Sequence, residues 1–105
     1  MTEIRFYAQN LLLSGFEITG HSTSSADDID GKLVCSAVSS AAYMAANTIS
    51  EIIGASAEIE VNDGYMSVKL TSKLDESQIV LKGLLLHSNE LAKQYRNYLK
   101  VYSEV

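Results

Sequence analysis

The stretch Ala57–Leu70, AEIEVNDGYMSVKL, decides the fold. Ala57, Ile59 and Val61 alternate with Glu58 and Glu60, the period of a strand with one face on a core. Asn62, Asp63 and Gly64 then supply residues that tolerate positive φ, and alternation resumes from Tyr65 to Leu70. The segment reads as a β-hairpin.

On its C-terminal side, Asp75-Glu76-Ser77-Gln78 has the form of a capping box that opens a last helix. Val80, Leu84, His87, Leu91, Tyr95, Tyr98 and Tyr102 then share one face. On its N-terminal side, Val34, Val38, Ala41, Ala45, Ile49 and Ile52 recur at three and four, which predicts a helix over 32–53 stopped by Gly54. That helix face is rich in Ala and Ser, so its backbone can approach a neighbour closely. Before it lies STSSADDID, Ser22 to Asp30, closed by Gly31, whose hydroxyls and carboxylates compete with regular backbone structure. Ile4, Phe6 and Ala8, then Phe16 and Ile18, mark two further strands that pair as a hairpin around Asn10 and Leu11–Leu13. The order is β-β-α-β-β-α: two hairpins and two helices, an antiparallel sheet packed against helices, the α+β class.

The 105 residues, 47% apolar and 20% charged, fit one globular domain over 1–105. The N-terminal decapeptide has no basic start or apolar core of a signal peptide, and no apolar run approaches membrane-spanning length. No membrane association is expected. The net charge of −5 argues against direct nucleic-acid binding, which needs clustered Lys and Arg. A single cysteine, Cys35, permits no internal disulfide and fits a reducing, cytoplasmic location. Cys35, His21 and His87 lack the close spacing of metal ligands, so neither metal nor cofactor is expected.

Cys35 falls in the first turns of the predicted helix. Unpaired amides and the positive helix end there favour the thiolate and can hold an oxyanion. Alone, however, Cys35 is better explained as a small buried apolar residue beside Val34 and Val38. His21, at the end of the second strand and across the Ser22–Gly31 loop, changes the balance. An imidazole there could take the thiol proton and return it to a leaving amine, although an exposed loop histidine fits the residue equally well. His87 lies on the apolar stripe, where a packed histidine is expected. Ser39, one turn after Cys35, faces the same way; back-bonding to the helix carbonyl is its first reading and substrate contact its second. Leu11–Leu13 and the small-residue helix face are candidates for dimer or substrate contacts.

The stretch GHSTSSADDIDGKLVCSAVSSA, Gly20 to Ala41, resembles the signature of the Prp family of bacterial ribosomal-processing cysteine proteases. That signature has Gly-His ending a strand, a variable loop and a Val-Cys-x-Ala-Val-Ser helix start. Gly20-His21 and Val34 to Ser39 match it, and Leu91 to Val101, LAKQYRNYLKV, is similar to the family's final helix. Lys32 stands where the family often has Asp, and Ser36 where Ala is usual. The resemblance implies Cys35 as nucleophile and His21 as general base and acid, with the mobile Ser22–Gly31 loop and Ser39 near the substrate. It further implies a homodimer that removes the N-terminal extension of large-subunit ribosomal protein twenty-seven after a Phe-rich motif. The competing reading is a non-catalytic module that binds this ribosomal protein during assembly, with Cys35 inert.

Overall fold

The computed structural model describes residues 1–21 and 28–105. Strands β1 (Thr2–Gln9) and β2 (Leu12–Thr19) are followed by helix α1 (Ile29–Asn47) and a π-helical turn (Thr48–Ile53). Then come β3 (Ala57–Asn62), β4 (Tyr65–Leu70), helix α2 (Leu74–Gln94) and β5 (Leu99–Ser103). The sheet order is β3-β4-β2-β1-β5, with every neighbouring pair antiparallel except β1 and β5. Ile4, Phe6, Phe16, Met66 and Val68 bury on the face that the helices cover. Glu3, Arg5, Glu17, Glu58, Glu60 and Lys69 alternate with these positions and occupy the other face. Phe6 and Phe16 stand opposite each other in register with ring centroids 6.1 Å apart, at the centre of the core. Among the described residues, no helix is long and apolar enough to cross a membrane.

The α+β arrangement of two hairpins and two helices is the one expected, with a fifth strand added. The apolar stripe read through Tyr98 and Tyr102 does not remain helical. The Tyr95 N–H makes the last helical bond to Leu91, and the Tyr98 N–H donates to the Tyr95 carbonyl. The chain then extends and pairs parallel with β1, Thr2 donating to the Tyr98 carbonyl at 2.9 Å. Tyr98, Leu99, Val101 and Tyr102 suit a strand better than a helix end. The helical stripe and the five-residue strand happen to overlap in their apolar spacing.

Other boundaries move for local reasons. Helix α1 starts at Ile29, three residues before Lys32, because the Asp28 carboxylate accepts the Gly31 N–H at 3.0 Å and caps it. Gly31 is therefore inside the helix. The π-helical turn shifts the apolar stripe, leaving Ile49 buried but Ile52 81% exposed. Helix α2 begins at Leu74 with no capping box. The Ser77 hydroxyl donates to the Lys73 carbonyl, and the Gln78 amide reaches across to Leu13. The three leucines form no covered connection. Asn10 and Leu11 are a two-residue turn with φ of 53° and 69°, Leu11 is exposed, and Leu13 is buried inside β2. His87 is exposed on α2 and not packed as expected.

Candidate active site

A cleft of about 230 Å³ opens where β2 ends, β1 begins and the β3–β4 turn meets the flank of α1. Helix α1 contributes Cys35, Val38, Ser39 and Tyr43, β2 contributes Ile18, and Gly20 and His21 follow its end. The hairpin contributes Val61 through Met66. The nucleophile and base candidates, fourteen positions apart in sequence, thus line one cavity. Its walls are apolar at Ile18, Val38, Val61 and Met66, with hydroxyls at Ser39, Tyr43 and Tyr65. This balance suits a peptide side chain beside a few polar anchors.

Cys35 is half-buried. Because α1 starts at Ile29, Cys35 lies in the second turn, where its own N–H belongs to the helix ladder. The Gly31 and Lys32 amides are bonded to the side chain and the carbonyl of Asp28. Ser39 is exposed on the cleft wall. Of the Ser22–Gly31 loop, residues 22–27 lie outside the described residues, and Asp28–Gly31 form the cap and first turn of α1.

His21 leaves β2 after Gly20, whose N–H donates to the Gly64 carbonyl at 2.9 Å. Its ring rests on the β3–β4 turn. A Cβ at Gly64 would lie 2.7 Å from His21 Nε2, and Gly64 also holds φ at +68°. Asp63 Oδ1 is 3.9 Å from the same nitrogen. A residue at the far end of the chain also reaches the site's framework. The Tyr98 hydroxyl donates to the capping carboxylate of Asp28 at 3.2 Å. Burial, and then the Asp28 charge, push the Tyr98 phenol pKa up from 10.0.

Neither the Gly64 seat nor the Tyr98 anchor was read from the sequence. The signal for the first was the Asn-Asp-Gly turn, which fixes a hairpin but says nothing of what packs on it. The second needed the fifth strand, because only the turn before β5 brings Tyr98 back to the start of α1.

A model of the family described as cysteine protease Prp matches residues 1–100. No curated protein matches the chain by sequence. Among solved structures, SMU.848 from Streptococcus mutans superposes with a TM-score of 0.84 at 24% identity, covering 98% of this chain and 96% of that one. The essential ribosomal processing protease Prp from S. aureus, in complex with a covalently linked product peptide, gives a TM-score of 0.86 at 17% identity. It covers 99% of this chain and all of that one. The same S. aureus protease in complex with a substrate peptide gives 0.86 at 14% identity, with coverage of 99% and 100%. With its cleft lined by a lone cysteine and a histidine, and with the family model running from its first residue to its hundredth, the chain belongs to the cysteine protease Prp family.

Proposed function

We propose that the chain is an endopeptidase with a Cys35–His21 dyad that removes the N-terminal extension of a bacterial large-subunit ribosomal protein. The observation that carries this reading is the shared cleft, which Cys35 enters from α1 and His21 from the end of β2. The peptide complexes of the S. aureus protease support a peptide as the occupant.

In this reaction the imidazole takes the Cys35 thiol proton as Sγ attacks the scissile carbonyl carbon. The tetrahedral intermediate collapses as the imidazolium gives that proton to the leaving amine, and the C–N bond breaks. Water then adds to the thioester with His21 as base, releasing the new C-terminal carboxylate and the thiol. Ser39, exposed on the cleft wall one turn from Cys35, would hydrogen-bond the bound peptide. The Ser22–Gly31 segment joins the two reacting residues along the sequence.

The reading further takes the protein to be cytoplasmic, where a lone thiol stays reduced, and to act as a homodimer. Exposed Leu33 and Met44 on α1, and Ile79 and Leu86 on α2, supply apolar surface for a second copy. Light scattering at micromolar concentration should give twice the chain mass, and a monomer would refute the dimer.

The direct assay uses a synthetic peptide that carries the N-terminal extension of the host's own large-subunit ribosomal protein twenty-seven. Wild-type protein should cleave it at one bond, whereas Cys35→Ala and His21→Ala should not. Equal cleavage by wild type and Cys35→Ala would end the proposal.

A further inference from the structure

We infer that the Asp63–Gly64 turn is a positioning device for His21, in which Gly64 seats the ring and Asp63 fixes which nitrogen carries the proton. The inference rests on the Cys35–His21 reading above and adds to it a third residue, from the second hairpin.

Two separate demands fall on Gly64. Its φ of +68° would be met by Asn almost as well as by Gly. Its second demand is spatial: a Cβ there would push the His21 ring off its seat. Such an atom would lie 2.7 Å from His21 Nε2, 3.2 Å from Cε1 and 3.3 Å from Cδ2. The ring therefore stands with its Nε2 apex on the Gly64 backbone, and Nδ1 lies on the side away from the turn. The 2.9 Å bond from the Gly20 N–H to the Gly64 carbonyl holds the strand end to the same turn.

Asp63 adds charge to this seat. Its Oδ1 is 3.9 Å from Nε2, just beyond hydrogen-bond reach, and its side chain is fully exposed and free to rotate. Catalytic hydrogen bonds that are long in a free enzyme commonly tighten when substrate binds. A carboxylate that accepts the Nε2–H fixes the tautomer with Nδ1 bare. Nδ1 is then the atom that receives the Cys35 proton: the S–H bond breaks, the Nδ1–H bond forms, and the Asp63 carboxylate balances the imidazolium. The proton leaves again for the amine nitrogen as the C–N bond breaks.

The test pairs ¹⁵N NMR of His21 in the free protein with steady-state cleavage of the ribosomal-protein peptide. Wild-type protein should show the Nε2–H tautomer. Asp63→Ala should give mixed tautomers and lower kcat by roughly 10- to 100-fold, the scale on which misplacing a reacting group is felt, with KM nearly unchanged. Asp63→Asn keeps an acceptor and should restore the tautomer and part of kcat. Gly64→Asn suits the backbone but carries the obstructing Cβ, and should lose at least as much kcat as Asp63→Ala. Wild-type tautomer and kcat in Asp63→Ala, or wild-type kcat in Gly64→Asn, would overturn the inference. If wild-type protein cleaves no peptide, the dyad reading fails, and the NMR comparison still decides the seat.

Discussion

Tyr98 and Asp28 are joined by a 3.2 Å hydrogen bond between residues seventy positions apart, tying the turn before β5 to the cap of the helix that carries Cys35. The Asp28 carboxylate thereby serves the helix backbone and the C-terminal turn together. This bond fixes the far end of the segment that begins at His21.

That bond predicts a pH dependence of stability. The Tyr98 pKa in the folded chain is raised, by burial first and by Asp28 second. A raised folded value means that the neutral phenol stabilises the fold below the unfolded pKa of about 10, and that this contribution is lost as pH rises through the folded value. Tyr98→Phe should therefore unfold at lower urea than wild type near pH 8, and the difference should shrink at a second pH above the raised folded value. The measurement is urea unfolding at the two pH values, and a difference that persists unchanged at high pH would refute the coupling.

Gln78 replaces a missing strand partner. Its Oε1 accepts the Leu13 N–H at 2.9 Å, and its Nε2 donates to the Leu13 and Leu74 carbonyls at 2.8 Å each. Leu13 pairs with Ala8 of β1 but lies beyond the end of the β2–β4 pairing, which starts at Gly15, so Gln78 takes the place of β4 at its backbone groups. Gln78→Ala leaves both unsatisfied and should cost roughly 1–3 kcal/mol or more in urea unfolding. A change within about 0.5 kcal/mol, the usual range of a neutral surface substitution, would show that water replaces the amide.

Leu11 is strained and uncovered. It holds φ at 69° and is 90% exposed, in the second position of a two-residue turn that favours Asn-Gly. Leu11→Gly should stabilise the isolated chain by about 1 kcal/mol, because glycine has no Cβ penalty in the left-handed region. Thermal unfolding measures this, and a destabilised Leu11→Gly variant would mean that the leucine side chain is packed in solution.

The particular residues explain how far the sequence could be read. Period-two alternation around Asn62-Asp63-Gly64 placed β3 and β4 within a residue, since a tight turn and strand alternation both leave local marks, although β3 buries no face as the alternation suggested and is exposed along nearly its whole length. Helix α1 was legible in its apolar face but not in its start. Asp28 looked like one more acid in a polar loop, and only the Gly31 N–H 3.0 Å away shows it to be the cap. Strand β5 escaped because parallel pairing with β1 is a long-range choice that no local period announces. At the site, the residue types of His21 and Cys35 were visible. The seat of His21 was not, since the Gly64 contact depends on how two hairpins meet.

Cys35 is the only cysteine of the chain, so any thiol adduct reports on that one residue. The most direct measurement is therefore the rate of iodoacetamide alkylation of folded protein at neutral pH, in wild type and in His21→Ala, followed by intact mass. A thiol activated by the imidazole should react at least about 10-fold faster in wild type than in His21→Ala, as general-base assistance requires. Equal rates in the two folded proteins would contradict the account, because the sulfur would then owe nothing to the histidine across the cleft.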